Sequence, residues 1–172
     1  DRDEISKVIN VKENVLHTII RTKTNELMEK RLSLLREKNI QFVGVSDILY
    51  PDKLRVIHQP PVGIYVIGSI PDFTFPSVAI VGTRKCSVYG KDIAYLFARE
   101  LSQNNVIIVS GMAEGIDSAA HRGALAEDNV TVAVFGNGVD ICYPAFNKEL
   151  KEKIIQNGCV ISEYPPGMAP KP

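Results

Sequence analysis

The sequence predicts an α/β fold with a doubly wound, mainly parallel sheet. In the second half of the chain, short runs rich in valine and isoleucine alternate with segments of helical length. Strands that alternate with helices are joined by right-handed crossovers, so they lie parallel in one sheet. The predicted elements are strand 78–82, helix 91–103, strand 106–110, helix 116–127, strand 131–135, helix 147–156 and strand 159–162. This arrangement is Rossmann-like.

Two further strands are predicted before this alternation. The runs QFVGV and GIYVIGS are short and apolar, and proline-bearing loops separate them. Proline cannot donate a hydrogen bond to a neighbouring strand, so these loops bound strands rather than interrupt them. The Rossmann-like domain is expected to cover residues 39–172. The chain starts without methionine and stops soon after a predicted strand, so we expect a fragment whose domain is incomplete at its C-terminus.

The segment 1–38 has a different pattern. Apolar residues recur there at intervals of three and four, without glycine or proline, which is typical of amphipathic helices. Residues 22–25 offer a break with capping side chains, so two short helices are expected. Acidic and basic residues are mixed in this small helical segment, which indicates a solvated face rather than a nucleic-acid surface.

Composition and charge exclude several classes of protein. Of the 172 residues, 45% are hydrophobic and 23% are charged, which is typical of an ordered globular protein. The 20 basic and 20 acidic residues cancel, so any site for a polyanion must be a local patch. No apolar run is long enough to span a membrane. Three widely spaced cysteines without a CxxC pair argue against disulfides and zinc, and favour a reducing cytoplasm.

Glycine-bearing turns follow the predicted parallel strands. Ligands of open parallel sheets bind beyond the carboxyl ends of the strands, where glycine lets backbone amides approach them closely. The amino termini of the following helices add positive potential, so this geometry favours an anion. The turn glycines are Gly82, Gly111, Gly115, Gly136 and Gly138.

The first of these turns does not match the standard nucleotide motifs. After Gly82 the next glycine is Gly90, so neither GxGxxG nor GxxxxGK[ST] is present. A dinucleotide or nucleoside triphosphate is therefore not predicted, and no cofactor is assigned. Asp140 with Cys142 has no recognised metal-ligand spacing, so no metal is assigned either.

Two cations, Arg84 and Lys85, stand in the first turn. A guanidinium beside a glycine turn can hold two phosphate oxygens in a fork. The alternative for Arg84 is an ion pair with Glu114 or Asp117 that only joins two loops. Lys85 is a second candidate, with an ordinary solvated lysine as its alternative.

The second turn combines Ser110, Gly111 and Met112, which resemble a nest of backbone amides. Asp117 follows at the start of the next predicted helix. Because a carboxylate beside phosphate would repel it, we expect Asp117 to orient Arg84 or to cap amides rather than to contact the ligand.

His121 lies four residues after Asp117, one helical turn along. It could be a catalytic base or a packed structural histidine. No activated serine or cysteine nucleophile can be identified with it, so no catalytic residue is assigned.

The ordered turns resemble blocks of a known family. The matching stretches are SVAIVGTRKCSVYG, VSGMAEGIDSAAHRGAL, TVAVFGNGVDICYPAFNKEL and GCVISEYPPG, with SDILYPDKLRVIHQPPVGIYVIGS upstream. Together they look like the DNA processing protein A family, also called DprA or Smf, from about residue 43 to residue 167. Four motifs in one order are far more specific than a lone glycine turn. The family continues with a block of the type FPxRNR, which this sequence does not include.

The resemblance implies a cytoplasmic protein that binds single-stranded DNA and loads the RecA recombinase onto it during natural transformation. It also implies a homodimer that is not an enzyme in this role. The candidate DNA- or phosphate-binding residues are Gly82, Thr83, Arg84, Lys85, Ser110, Gly111 and Met112. The residues expected to support the pocket are Gly115, Asp117, His121, Gly136 and Gly138.

Two hypotheses from other classes stay open. One is a Rossmann-like enzyme that acts on a nucleotide, such as a phosphoribohydrolase, although the PGGxGTxxE block of that group does not occur in this sequence. The other is a nucleotide-sensing protein without catalysis. Mononucleotides would stabilise such a sensor, whereas oligonucleotides would not.

Overall fold

The computed structural model describes residues 25–170 and divides the chain into two compact units, residues 1–39 and residues 40–172. In the first unit the described part is helix α1 (Asn25–Glu37), which matches the second of the two expected helices. The first expected helix lies outside the described residues.

The second unit contains one six-stranded sheet. Its strands are β1 (Gln41–Gly44), β2 (Gly63–Gly68), β3 (Ser77–Ala79), β4 (Ile107–Ser110), β5 (Thr131–Val134) and β6 (Cys159–Ser162). Their spatial order is β1-β2-β6-β5-β4-β3. Strands β3 to β6 are parallel, while β2 is antiparallel to both β1 and β6. The predicted α/β fold with a mainly parallel sheet is confirmed.

Helices connect the parallel strands. They are α3 (Val88–Gln103), α4 (Ile116–Ala124) and α5 (Lys148–Asn157), and a short α2 (Asp52–Arg55) precedes β2. Helix α3 begins before residue 91, where the sequence placed its start. The reason is the N-cap Ser87, whose Oγ accepts a hydrogen bond from the Gly90 amide at 3.1 Å. Gly90 therefore lies inside the first turn of the helix instead of before it.

The three crossover helices lie on one face of the sheet. Strands β3 to β6 are neighbours in chain order, so right-handed crossovers place every connecting helix on the same side. In contrast to the prediction from the sequence, the parallel part of the sheet is therefore not doubly wound, because the strand order does not reverse within it. Small residues let α3 and α4 approach closely, and a methyl group on Gly123 would collide with the backbone carbonyl of Tyr95. The core on this face contains Ala98, Ile108, Ala120 and Ala124.

A second core lies on the other face of the sheet. It contains Val43, Tyr50, Ile64, Val66, Ile107, Val132 and Cys159. The hydroxyl of the buried Tyr50 donates to the Pro61 carbonyl at 2.9 Å, so its polar atom is satisfied inside an apolar cluster. With both faces packed, the carboxyl ends of β3, β4 and β5 are fixed side by side. In the described part of the chain, no helix is long and apolar enough to cross a membrane.

Candidate functional site

Two turns meet at the carboxyl ends of the adjacent strands β3 and β4. We call residues 82–85 the first turn and residues 111–115 the second turn. Gly115 has a φ of 90°, and a Cβ there would lie 2.6 Å from the Arg84 carbonyl oxygen and even closer to that of Thr83. The amide of Ile116 donates to the Thr83 carbonyl at 3.4 Å. The turns are therefore in direct backbone contact, which only glycine permits at position 115.

Asp117 ties the two turns together. Its Oδ1 accepts a hydrogen bond from the Gly82 amide at 3.1 Å, and its Oδ2 accepts one from the Gly111 amide at 3.2 Å. The side chain is buried, and a Cβ on Gly111 would lie 2.7 Å from Oδ2. Asp117 was expected either to orient Arg84 or to cap amides, and in the structure it accepts hydrogen bonds from amides.

These two hydrogen bonds remove the amides of Gly82 and Gly111 from the donors that could bind a ligand. Both amides were expected to be open to a phosphate, but Asp117 engages them. Other amides of the turns remain open. Among the described residues, nothing accepts a hydrogen bond from the amides of Thr83, Arg84 or Ala113.

The side chains of the first turn face solvent. Thr83, Arg84 and Lys85 are all exposed. Arg84 makes no ion pair with any residue that the structure describes, so the alternative of an ion pair with Glu114 or Asp117 that only joins two loops is not found. Glu114 is the exposed carboxylate of the second turn. Because Asp117 is buried against two amides, the exposed charges of the two turns are two cations and one carboxylate.

Ser110 and Met112 have buried side chains. The Ser110 hydroxyl donates to the Ile80 carbonyl at 2.6 Å, and Met112 is fully buried with a φ of 57°. Neither side chain can reach a ligand at the exposed surface of the two turns. What these residues offer to a ligand is limited to backbone groups.

The turn after β5 differs from the first two. A Cβ on Gly136 would meet nothing within 4 Å, so no close approach requires glycine there. Gly138, in contrast, is closely packed, since a Cβ would lie 2.7 Å from the Pro165 carbonyl oxygen. Its amide donates to the Met168 carbonyl at 2.8 Å. Gly138 therefore holds the chain that follows β6.

His121 lies in the core and not at the exposed surface of the two turns. Its ring is fully buried, and Nδ1 is 2.8 Å from the Thr131 hydroxyl oxygen. That hydroxyl donates to the Ile108 carbonyl at 2.7 Å, so Nδ1 is the protonated nitrogen and donates to Thr131. Burial lowers the pKa of His121 to about 4. A neutral imidazole without solvent contact has no access to a ligand.

Two buried polar residues were missed by the sequence analysis. Asn147 donates from Nδ2 to the Met112 carbonyl at 3.0 Å. Lys151 donates to the Val139 carbonyl at 2.6 Å and lies 5.7 Å from the centre of the Phe135 ring. Burial lowers the pKa of Lys151. Lys151 could have been noticed, because it stands next to Leu150 on the apolar side of a helical pattern.

Metal binding has no support in the described region, where no three His, Cys, Asp or Glu side chains form a group that could hold an ion. The two adjoining turns present an exposed guanidinium and open backbone amides, which are groups that bind anions in proteins. The amino terminus of α4 adds little to them, because its Ile116 amide donates to Thr83 and the Asp117 carboxylate lies in its first turn.

The family model for DNA recombination-mediator protein A matches residues 41–172. The chain belongs to this family. The resemblance noted in the sequence motifs is confirmed. Among curated relatives, the chain is 41% identical to DNA processing protein DprA of Streptococcus pneumoniae over 127 residues, covering 74% of this chain and 45% of that protein. It is 32% identical to protein Smf of Escherichia coli over 144 residues, covering 83% of this chain and 38% of that protein.

Solved structures of family members have the same fold. The structure of DNA processing protein A from S. pneumoniae superposes with a TM-score of 0.83 at 31% identity, covering 99% of this chain and 59% of that one. A structure from Helicobacter pylori, described for its single-stranded DNA binding mode, gives a TM-score of 0.67 at 32% identity. It covers 78% of this chain and 60% of that one. The chain spans less than half the length of the curated relatives reported above.

Proposed function

We propose that this chain is the single-stranded-DNA-binding part of a protein that loads the RecA recombinase onto DNA during natural transformation. Membership of the family supports the proposal, and so does the described DNA binding of the H. pylori relative. One observation carries it. Two turns in backbone contact combine the exposed cations Arg84 and Lys85 with amides that no described residue engages.

The chemistry of these turns suits a DNA backbone. A guanidinium can hold two oxygens of one phosphate, and open amides can donate to the same or the next phosphate. Such contacts read no base edges, so the binding is expected to tolerate any sequence. Tyr89 and Tyr143 are exposed and offer rings on which bases can stack.

RecA loading, assembly of a homodimer and a cytoplasmic location belong to the same proposal, and family membership is what supports them. In this proposal the protein acts by binding rather than by catalysis. Asp117 has a structural part, because it joins the two turns whose amides and cations hold the phosphates.

Fluorescence anisotropy with a labelled oligothymidylate tests the proposal. The wild-type protein is expected to bind, and Arg84→Ala is expected to raise the Kd about tenfold, since a charge-assisted contact of this kind contributes about 1.5 kcal/mol. Arg36→Ala, which removes an exposed arginine of α1, is the matched control and is expected to bind as the wild type does.

The same preparation separates the competing functions. A thermal shift with mononucleotides but no binding of the oligonucleotide would replace the proposal with a nucleotide sensor. Release of free base from a nucleoside monophosphate, detected by chromatography, would replace it with a phosphoribohydrolase. Equal affinity of wild type and Arg84→Ala would remove Arg84 from the binding site.

A further inference from the structure

Asn147 connects the start of helix α5 to the second turn. It is fully buried at the end of the 3₁₀ turn Ala145–Asn147, directly before α5. Its Nδ2 donates to the Met112 carbonyl at 3.0 Å and to the Ser118 hydroxyl oxygen at 2.8 Å. The acceptors lie 35 and 29 residues earlier in the chain. One buried amide group therefore connects the start of α5 with both the second turn and α4.

The bond to Met112 falls on a backbone that needs support. With a φ of 57°, Met112 lies in the left-handed region, which is unfavourable for a residue with a Cβ. Such a conformation persists where the surrounding structure holds it. The carbonyl and the N–H of a trans peptide unit point in opposite directions. By holding the Met112 carbonyl, Asn147 therefore directs the Ala113 N–H away from the buried interior.

The next peptide unit is held in a similar way. The Ala113 carbonyl accepts hydrogen bonds from the amide of Ser118 at 3.1 Å and from its hydroxyl. The Ala113 N–H, in contrast, has no acceptor in the part of the chain that the structure describes. Two carbonyls of the second turn are thus fixed inward, and the amide between them is open.

We propose that Asn147 is a positioning residue that presents the Ala113 amide to a phosphate of single-stranded DNA. The proposal rests on the function proposed above. It assigns a role in recognition to a side chain that is itself fully buried. Arg84 supplies charge from the first turn, and Asn147 fixes the direction of an amide donor in the second.

Salt titrations distinguish these two contributions. An amide contact displaces no counterion, so Asn147→Ala is expected to raise the Kd for oligothymidylate about tenfold while the dependence of log K on log salt keeps its slope. Arg84→Ala is expected to reduce the slope by about 0.7, because it removes one cationic contact with a single strand. Asn157→Ala is the matched control, since Asn157 lies at the other end of α5 and, among the described residues, its side chain donates only to Lys153 of the same helix.

The amide itself can be observed. In the wild type, the NMR signal of the Ala113 amide is expected to shift strongly when oligothymidylate binds, and in Asn147→Ala this shift is expected to be lost. Ser118→Ala removes the hydroxyl that accepts from Asn147 and donates to the Ala113 carbonyl. A smaller reduction of the Ala113 shift is expected for this variant, which serves as the test if Asn147→Ala does not fold.

The outcomes separate the two proposals. If folded Asn147→Ala binds within twofold of the wild type and loses only thermal stability, Asn147 has a structural role and the positioning proposal is wrong. If the wild type binds no single-stranded DNA, the proposed function fails and the positioning role fails with it. If the wild type binds and the Ala113 signal does not respond, the function stands and the positioning proposal is overturned.

Discussion

The first and second turns are neighbours, yet they are built in opposite ways. The first turn has exposed side chains, including Arg84 and Lys85. The second turn is held from within, by Asp117 at Gly111 and by Asn147 at Met112. The first turn presents cationic side chains together with the open amides of Thr83 and Arg84, whereas the second turn presents backbone groups alone, held in a fixed direction. The comparison teaches that the proposed phosphate site depends on buried side chains as much as on exposed cations.

The largest expected effect comes from removing the glycine that lets the turns touch. Gly115→Ala places a methyl group against the Thr83 and Arg84 carbonyls at a φ of 90°, so we expect the free energy of unfolding to fall by about 4 kcal/mol. Chemical denaturation measures this change.

Gly136→Ala is the control for that substitution. Its new methyl group meets nothing within 4 Å, so we expect its stability to remain within about 0.5 kcal/mol of the wild type. A similar fall in the free energy of unfolding for the two variants would mean that Gly115 is not in tight contact with the first turn.

The next effect is a pH dependence of stability that comes from the buried His121 of α4. The pKa of His121 is about 4 in the folded protein and about 6.5 when unfolded. Below pH 6.5 the imidazole becomes protonated in the unfolded chain while it stays neutral in the folded protein. The contribution of His121 to stability is therefore fully present above pH 6.5 and is lost as the pH falls towards 4. The loss from pH 8 to pH 4 is expected to be about 3 kcal/mol.

Urea denaturation at a series of pH values measures this dependence, with His121→Gln as the comparison. The variant has no imidazole, so its stability is expected to vary less with pH by about the same 3 kcal/mol. An identical pH profile for the two proteins would show that His121 stays accessible to protons when the protein is folded.

A smaller effect is expected at the carboxylate that joins the turns. Asp117→Asn replaces one carboxylate oxygen with an NH₂ group, which then faces a backbone N–H that it cannot accept from. We therefore expect the free energy of unfolding to fall by about 2 kcal/mol. DNA affinity is expected to fall as well, because the turns are no longer aligned. Denaturation and anisotropy measure the two effects, and unchanged values in both would mean that Asp117 does not hold the turns.

Much of the fold could be predicted from the sequence. The alternation of apolar runs and helical segments reports where buried strands lie, and strand β6 was placed at its observed bounds. The start of α3 was missed because Gly90 was interpreted as part of a turn, although Ser87 caps the helix ahead of it. Local patterns report element type well, but a cap determines where an element begins.

Less of the site could be predicted. Glycine, arginine and lysine in the first turn were visible, because their chemistry is local. The use of the Gly82 amide depends on Asp117, which is 35 residues away in the chain. The role of Asn147 depends in the same way on a distant partner, and its residue type alone indicated a helix start. Gly136 and Gly138 looked alike in sequence, yet only one of them is closely packed.

The salt dependence of oligothymidylate binding by wild type and Arg84→Ala tests the central claim most directly. If the first turn supplies charge to a DNA phosphate, Arg84→Ala weakens binding and reduces the slope of log K against log salt by about 0.7. An Arg84→Ala protein with the affinity and the slope of the wild type would contradict the claim that this turn binds the DNA backbone.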